Sequence, residues 1–196
     1  KGVVDVENMT NLSKNLRLKL QEHCTIAFPK IVLKKQAPDY TIKYLIQLDG
    51  GNCIETVYIP ESNRATLCVS SQIGCALTCS FCSTAQQGFN RNLSCAEIIA
   101  QLWLVYHDLK QQDELPQVTN VVFMGMGEPL LNYANVISAI EKITSQKGLN
   151  MASRRITVST VGIAKMIMKM ADDGVKFNLA VSLHAAIDKT RSSIMP

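Results

Sequence analysis

Leucines at 12, 16 and 20 share one face of the run TNLSKNLRLKLQEHC (10 to 24), a spacing that predicts a helix with Thr10 as its N-cap. Three strand-like runs follow, near 30 to 35, 41 to 48 and 53 to 59, and LDGGNC (48 to 53) joins the last two as a hairpin with an Asp-Gly turn. From Arg64 the pattern becomes strand, loop, helix, repeated. Strand ATLCVSS (65 to 71) precedes a loop of cysteines, and Ser94 with Glu97 three residues on predicts a capping box. The helix it opens keeps Cys95, Ile98, Ile99, Leu102, Trp103, Tyr106 and Leu109 at helical spacing. NVVFM (120 to 124) reads as a strand, 133 to 147 as a helix capped at Gly148, and RITVST (155 to 160) as a strand. A short helix with Ile163, Met166, Ile167 and Met170 on one face leads to a last strand, FNLAVSL (177 to 183).

Four strands alternating with three helices predict an α/β fold with a parallel sheet. The division expected is a helix-plus-β-hairpin extension over 1 to 62 and a β/α domain over 63 to 196. In such folds chemistry gathers at the C-terminal ends of the strands. Four unusual segments fall there: the cysteine loop, GMGEP (125 to 129), Ser159-Thr160 and Ser182-Leu183-His184.

With 196 residues, 47% of them hydrophobic, the chain is long enough to bury a core. Its apolar runs, such as VVFM and AKMIMKMA, fall far short of the roughly 20 residues that span a bilayer. KGVVDVENMT lacks the layout of a signal peptide, so a cytoplasmic, non-membrane protein is expected, with its seven cysteines reduced, ligating or reactive. The net charge of +4 is spread along the chain, which permits a nucleic-acid partner without indicating one. A start on Lys and a stop at RSSIMP suggest a segment cut at both ends.

CALTCSFC (75 to 82) places Cys75, Cys79 and Cys82 in a CxxxCxxC spacing on one loop. A structural zinc site needs a fourth ligand, usually from a second pair, and neither Cys24 nor Cys53 belongs to one. Three thiolates suit an iron-sulfur cluster with one iron left open to bind and activate a ligand.

This motif, with Phe81 before its last cysteine, resembles that of the radical S-adenosylmethionine (SAM) enzymes. ATLCVSSQIGCALTCSFCSTAQQGFNRNL (65 to 93), ETVYIP (55 to 60), FMGMGEPLLN (123 to 132) and SLHA (182 to 185) look like the RlmN group of RNA adenine methyltransferases. The resemblance implies a partial radical-SAM β/α barrel. It also implies a product, 2-methyladenine, in 23S ribosomal RNA and transfer RNA. A related group of the Cfr type methylates carbon 8 instead; STAQQGFNRNL and Pro129 look more like the carbon-2 group.

By the same resemblance Cys75, Cys79 and Cys82 hold a 4Fe–4S cluster whose fourth iron takes the methionine part of SAM. Gly127 and Glu128 contact the cofactor's amine, and Ser159, Ser182, Leu183 and His184 complete its site. Cys68 resolves a protein–RNA crosslink by forming a disulfide with a methyl-carrying cysteine, which in this family lies downstream of the position where the chain ends. Strand alternation places Glu55 with Cys53, Val57 and Ile59 among apolar neighbours. The resemblance makes it the base that removes the carbon-2 proton; the pattern alone allows equally a solvent-facing carboxylate on an edge hairpin. Two SAM molecules per turnover, an electron donor such as flavodoxin and a monomeric enzyme are implied. The segment as it stands is expected to methylate nothing.

Gln86, Gln87, Phe89, Asn90, Arg91 and Asn92 could stack on and hydrogen-bond an exposed nucleotide, or equally form a connection that packs over the cluster. Arg154-Arg155 reads as a solvated surface pair or a phosphate contact. Two rival classes remain: a zinc-binding RNA module without catalysis, and a radical SAM enzyme that activates a protein glycine.

Overall fold

A computed structural model of the chain describes residues 5–25, 28–111 and 115–195. Helix α1 (Lys14–His23) begins after Ser13, whose Oγ accepts the Leu16 amide at 3.3 Å. Thr10 is not the cap, because the chain is still turning there after a 3-10 helix over Val6–Asn8, with the Leu12 amide on the Met9 carbonyl. None of the residues of α1 is buried.

Strands β1 (Lys30–Gln36), β2 (Ile42–Gln47) and β3 (Cys53–Pro60) form the expected meander. The turn between β2 and β3 places Gly50 and Gly51 at φ +85° and +83°, a conformation that glycine adopts without steric cost. β3 continues into β4 (Ala65–Cys68), so one sheet runs through the boundary expected near residue 63. Parallel pairing then takes over from β4 to β7 (Asn120–Phe123), β8 (Ile156–Thr160) and β9 (Asn178–Val181), in the order β1-β2-β3-β4-β7-β8-β9. The sheet is thus an antiparallel half joined to a parallel half, with the parallel strands in sequence order.

Alternation along the strands sorts the two faces. One face buries Ile54, Tyr58, Leu67, Val121, Phe123, Ile156 and Val158. They share a core with Ile98, Leu102 and Val105 of α3 (Cys95–Leu109), Val136 and Ile140 of α4 (Tyr133–Thr144) and Met170 of α5 (Ala164–Asp172). The other face stays half-open and carries Glu55, Cys68, Thr157 and Ser159. α3 starts with the predicted capping box, Ser94 and Glu97 exchanging side-chain and backbone hydrogen bonds. α4 stops at Thr144, short of the predicted end, because Ser145 turns to ψ 141° and leaves the helical backbone; Gly148 lies beyond it in a tight turn where a Cβ would stand 1.8 Å from the Lys142 carbonyl oxygen.

Two features were not predicted. Strand 65 to 71 ends at Cys68, and the chain re-forms as β5 (Gln72–Gly74), which pairs antiparallel with β6 (Phe89–Asn92) in a separate two-stranded sheet. Short helices α2 (Ser83–Gln86) and α6 (Asp188–Ile194) flank the cysteine loop and the last strand. Among the described residues no helix is long and apolar enough to cross a membrane.

Candidate active site

The cysteine loop is closed at its base. Gly74 pairs with Phe89 in the small sheet, and the Cys75 amide donates to the Gly88 carbonyl at 3.0 Å. A Cβ on Gly74, at φ +70°, would sit 1.7 Å from that carbonyl oxygen, so only glycine permits the two ends of the loop to approach. Of the six residues offered as an RNA contact or a connection, two are held within the fold: Arg91 forms a two-point ion pair with Glu97 at 2.9 and 2.7 Å, and Asn92 accepts from Gln72 at 2.7 Å. Gln86, Gln87, Phe89 and Asn90 remain exposed.

Cys75, Cys79 and Cys82 line one pocket of about 110 Å³ with Phe81, Gly125, Gly127, Glu128, Val161, Ser182, His184 and Met195. It lies at the C-terminal ends of β7, β8 and β9, the end predicted for chemistry. The Phe81 and His184 ring centroids lie 4.4 Å apart, and the His184 backbone takes φ +57°. From α6 the Ile194 carbonyl accepts the Ser80 amide at 2.9 Å, and Arg191 donates to the Val161 carbonyl. The cysteine loop and the strand ends are thereby tied from both sides.

Glu128 is 3% exposed. Its Oε1 accepts the Leu130 amide at 3.0 Å and its Oε2 the Val161 amide at 2.9 Å. Two acceptors bound once each keep lone pairs for a further donor in the pocket. Gly127 takes φ +90°, and a Cβ there would fall 2.4 Å from the Cβ of Gln72. Gln72, itself buried, accepts the Glu128 amide at 2.8 Å and so seats the GMGE loop on the small sheet. Sequence reasoning passed over Gln72; the signal was the polar run Ser70-Ser71-Gln72 between a strand and the cysteines, all three residues being buried.

Burial raises the Cys75 and Cys79 thiol pKa values, and the neighbouring thiols raise them further. Such crowding favours a cation that takes up the negative charge. Among the described residues no three His, Cys, Asp or Glu side chains stand as a ligand set for a metal ion. A zinc ion needs all its sulfurs at about 2.3 Å from one point. A cluster gives each thiolate its own iron, so three thiols around a shared pocket suit it as a donor set.

Ser159 and Leu183 stand apart from this group. Ser159 lies within β8, opposite Ala180 on β9, and Leu183 is 62% exposed; neither lines the pocket. Arg154-Arg155 precede β8, at the opposite end of the parallel strands.

Cys68 stands opposite Val57 of β3, two residues from Glu55, which places both candidates on the half-open face. Burial pushes the Cys68 thiol up to about 11, so it holds its proton at neutral pH. Of the two environments the pattern allowed for Glu55, the structure shows the more open one: its side chain is 45% exposed and accepts from Lys43 at 2.8 Å. The cause is cross-strand geometry, since Lys43 opposes Val57 and reaches diagonally to Glu55. All seven cysteines are free thiols in this structure.

Comparison with known proteins agrees with this architecture. The ribosomal RNA large subunit methyltransferase N-terminal domain family matches residues 1–26. A crystal structure of a radical SAM methyltransferase from Sphaerobacter thermophilus superposes with a TM-score of 0.90, at 39% identity over 99% of this chain. The chain thus opens on a segment similar to the RlmN-type N-terminal domain and is similar over nearly its whole length to a radical SAM methyltransferase. It spans 57% of the length of that Sphaerobacter relative. In this structure the three cysteines of CxxxCxxC, Gly127, Glu128, Ser182 and His184 gather around one pocket.

Proposed function

We propose that this chain is the cofactor-holding part of an enzyme that makes 2-methyladenine in 23S ribosomal RNA and transfer RNA. The observation that supports it most is the convergence of the three motif cysteines, Glu128, Ser182 and His184 on one pocket at the strand ends. Cys75, Cys79 and Cys82 hold a 4Fe–4S cluster, and the free acceptor capacity of Glu128 takes the amine of SAM through charge-assisted hydrogen bonds. When bound, the two groups supply one-electron chemistry and the one-carbon unit.

The chain's own side chains do the rest. Glu55, on the half-open face with Lys43 held beside it at 2.8 Å, takes the carbon-2 proton of the adenine. Cys68, its proton given up to solvent, attacks as the thiolate the sulfur of the protein–RNA crosslink; the S–S bond forms as the C–S bond to the RNA breaks, and the departing carbon takes the electron pair and a proton to become the methyl group. Its burial keeps the thiol protonated, and so protected from oxidants, until that step.

The test is nucleoside mass spectrometry after anaerobic incubation of the natural full-length protein with SAM, a reductant and unmodified ribosomal or transfer RNA. Formation of 2-methyladenosine that is lost in Cys68→Ala and Glu55→Gln supports the reading. Formation of 8-methyladenosine, or no methylation by protein with an intact cluster, overturns it.

A further inference from the structure

One buried hydroxyl joins the three segments that carry this chemistry. Ser70 follows Cys68 by two residues and is fully buried. Its Oγ donates to the Glu55 carbonyl at 2.6 Å and accepts the Met126 amide at 2.9 Å. Its own amide donates to Oε1 of Gln101 at 2.8 Å, and its carbonyl accepts Nε2 of the same side chain at 2.9 Å. Gln101, reaching from α3, thus pairs with both main-chain groups of one residue as a neighbouring strand would. It does so just past Cys68, where the ladder between β3 and β4 ends. The Thr56 hydroxyl donates to the same Oε1 at 2.7 Å, and Thr56 and Gln101 are both 0% exposed. Two more contacts draw the same segments together. The Glu55 amide points at Sδ of Met126 at 3.4 Å, and a Cβ on Gly125 would stand 2.7 Å from the Ser70 hydroxyl.

We propose that Ser70 and Gln101 are positioning residues, a buried clasp that sets the strand of Glu55 and the end of the Cys68 strand against the Gly125–Glu128 loop. The proposal rests on the roles given above to Glu55, Cys68 and Glu128. Apolar side chains of the same size would fill the space yet let the three segments slide past one another. A fully satisfied polar network in a low-dielectric interior specifies one arrangement. The clasp therefore fixes the reach from the cofactor side to the base and thiol side, where a misplacement of about 1 Å can lower a rate by about a hundredfold.

The experiment compares natural full-length protein with Ser70→Ala and Gln101→Met, with Thr56→Val as a milder variant that removes one outer contact. Amide hydrogen exchange and the number of SAM molecules cleaved per adenine methylated are both read. Expected is an exchange increase of about tenfold at Met126, from loss of one buried hydrogen bond, with Val121 and Val158 unchanged. More SAM is then cleaved per methyl group delivered, while KM for SAM stays within about threefold. Unchanged exchange at Met126, or an increase shared equally by Val121 and Val158, overturns the clasp and leaves a general core contact. If unaltered protein methylates no RNA, the functional reading fails, and the exchange result still decides whether the clasp exists.

Discussion

The Glu128 carboxylate accepts the Val161 amide at 2.9 Å, binding the loop after β7 to the loop after β8 in the lining of the cysteine pocket. Glu128→Ala leaves the buried Leu130 amide without its acceptor, at about 1–3 kcal/mol, and frees the half-buried Val161 amide. The expected outcome is a clear fall in Tm together with loss of SAM binding, read by thermal unfolding and calorimetry on the reconstituted protein. An unchanged Tm would contradict the structural half of this role.

Gly127 tolerates no side chain. Gly127→Ala adds a Cβ at φ +90° that meets Gln72 at 2.4 Å, combining strained backbone with overlap. A loss of about 1–3 kcal/mol in denaturant unfolding is expected. Gly50→Ala, at φ +85° with open space around it, serves as the control for backbone strain alone.

Cys68 offers a test by pH. Its pKa is raised in the fold from 9.0 to about 11, so between these values the native state holds a proton that the unfolded chain releases. This contribution to stability is fully present below pH 9 and is lost as the pH rises through about 11. Alkylation at pH 8 should be much slower at Cys68 than at the exposed Cys24, as read by peptide mass spectrometry. Equal rates would contradict the burial.

Ser94→Ala removes the hydroxyl that accepts the Glu97 amide at the start of α3. A destabilisation of about 1 kcal/mol is expected from the lost cap, with Arg91–Glu97 still formed, and equilibrium unfolding measures it.

What could be read in advance were features written in short windows: the hairpin in LDGGNC, the capping box at Ser94 and the alternation of parallel strands with helices. The cysteine spacing and the GMGE turn fell at strand ends for the same local reason. Other features depend on partners far along the chain. Whether β5 and β6 pair turns on Gly74 meeting Gly88, and Ser70 meets Gln101 from a helix 31 residues away. The ion pair of Glu55 with Lys43 required the strand register, which alternation within β3 does not contain.

Cys75, Cys79 and Cys82, which share one pocket with Glu128, would hold a cluster that leaves one iron open to SAM. This is tested most directly by anaerobic reconstitution with iron and sulfide, followed by electron paramagnetic resonance of the reduced protein with and without SAM. A reduced 4Fe–4S signal that shifts when SAM is added, and is absent in Cys79→Ala, is the expected result. Tightly bound zinc with no cluster, or a cluster signal indifferent to SAM, would contradict it.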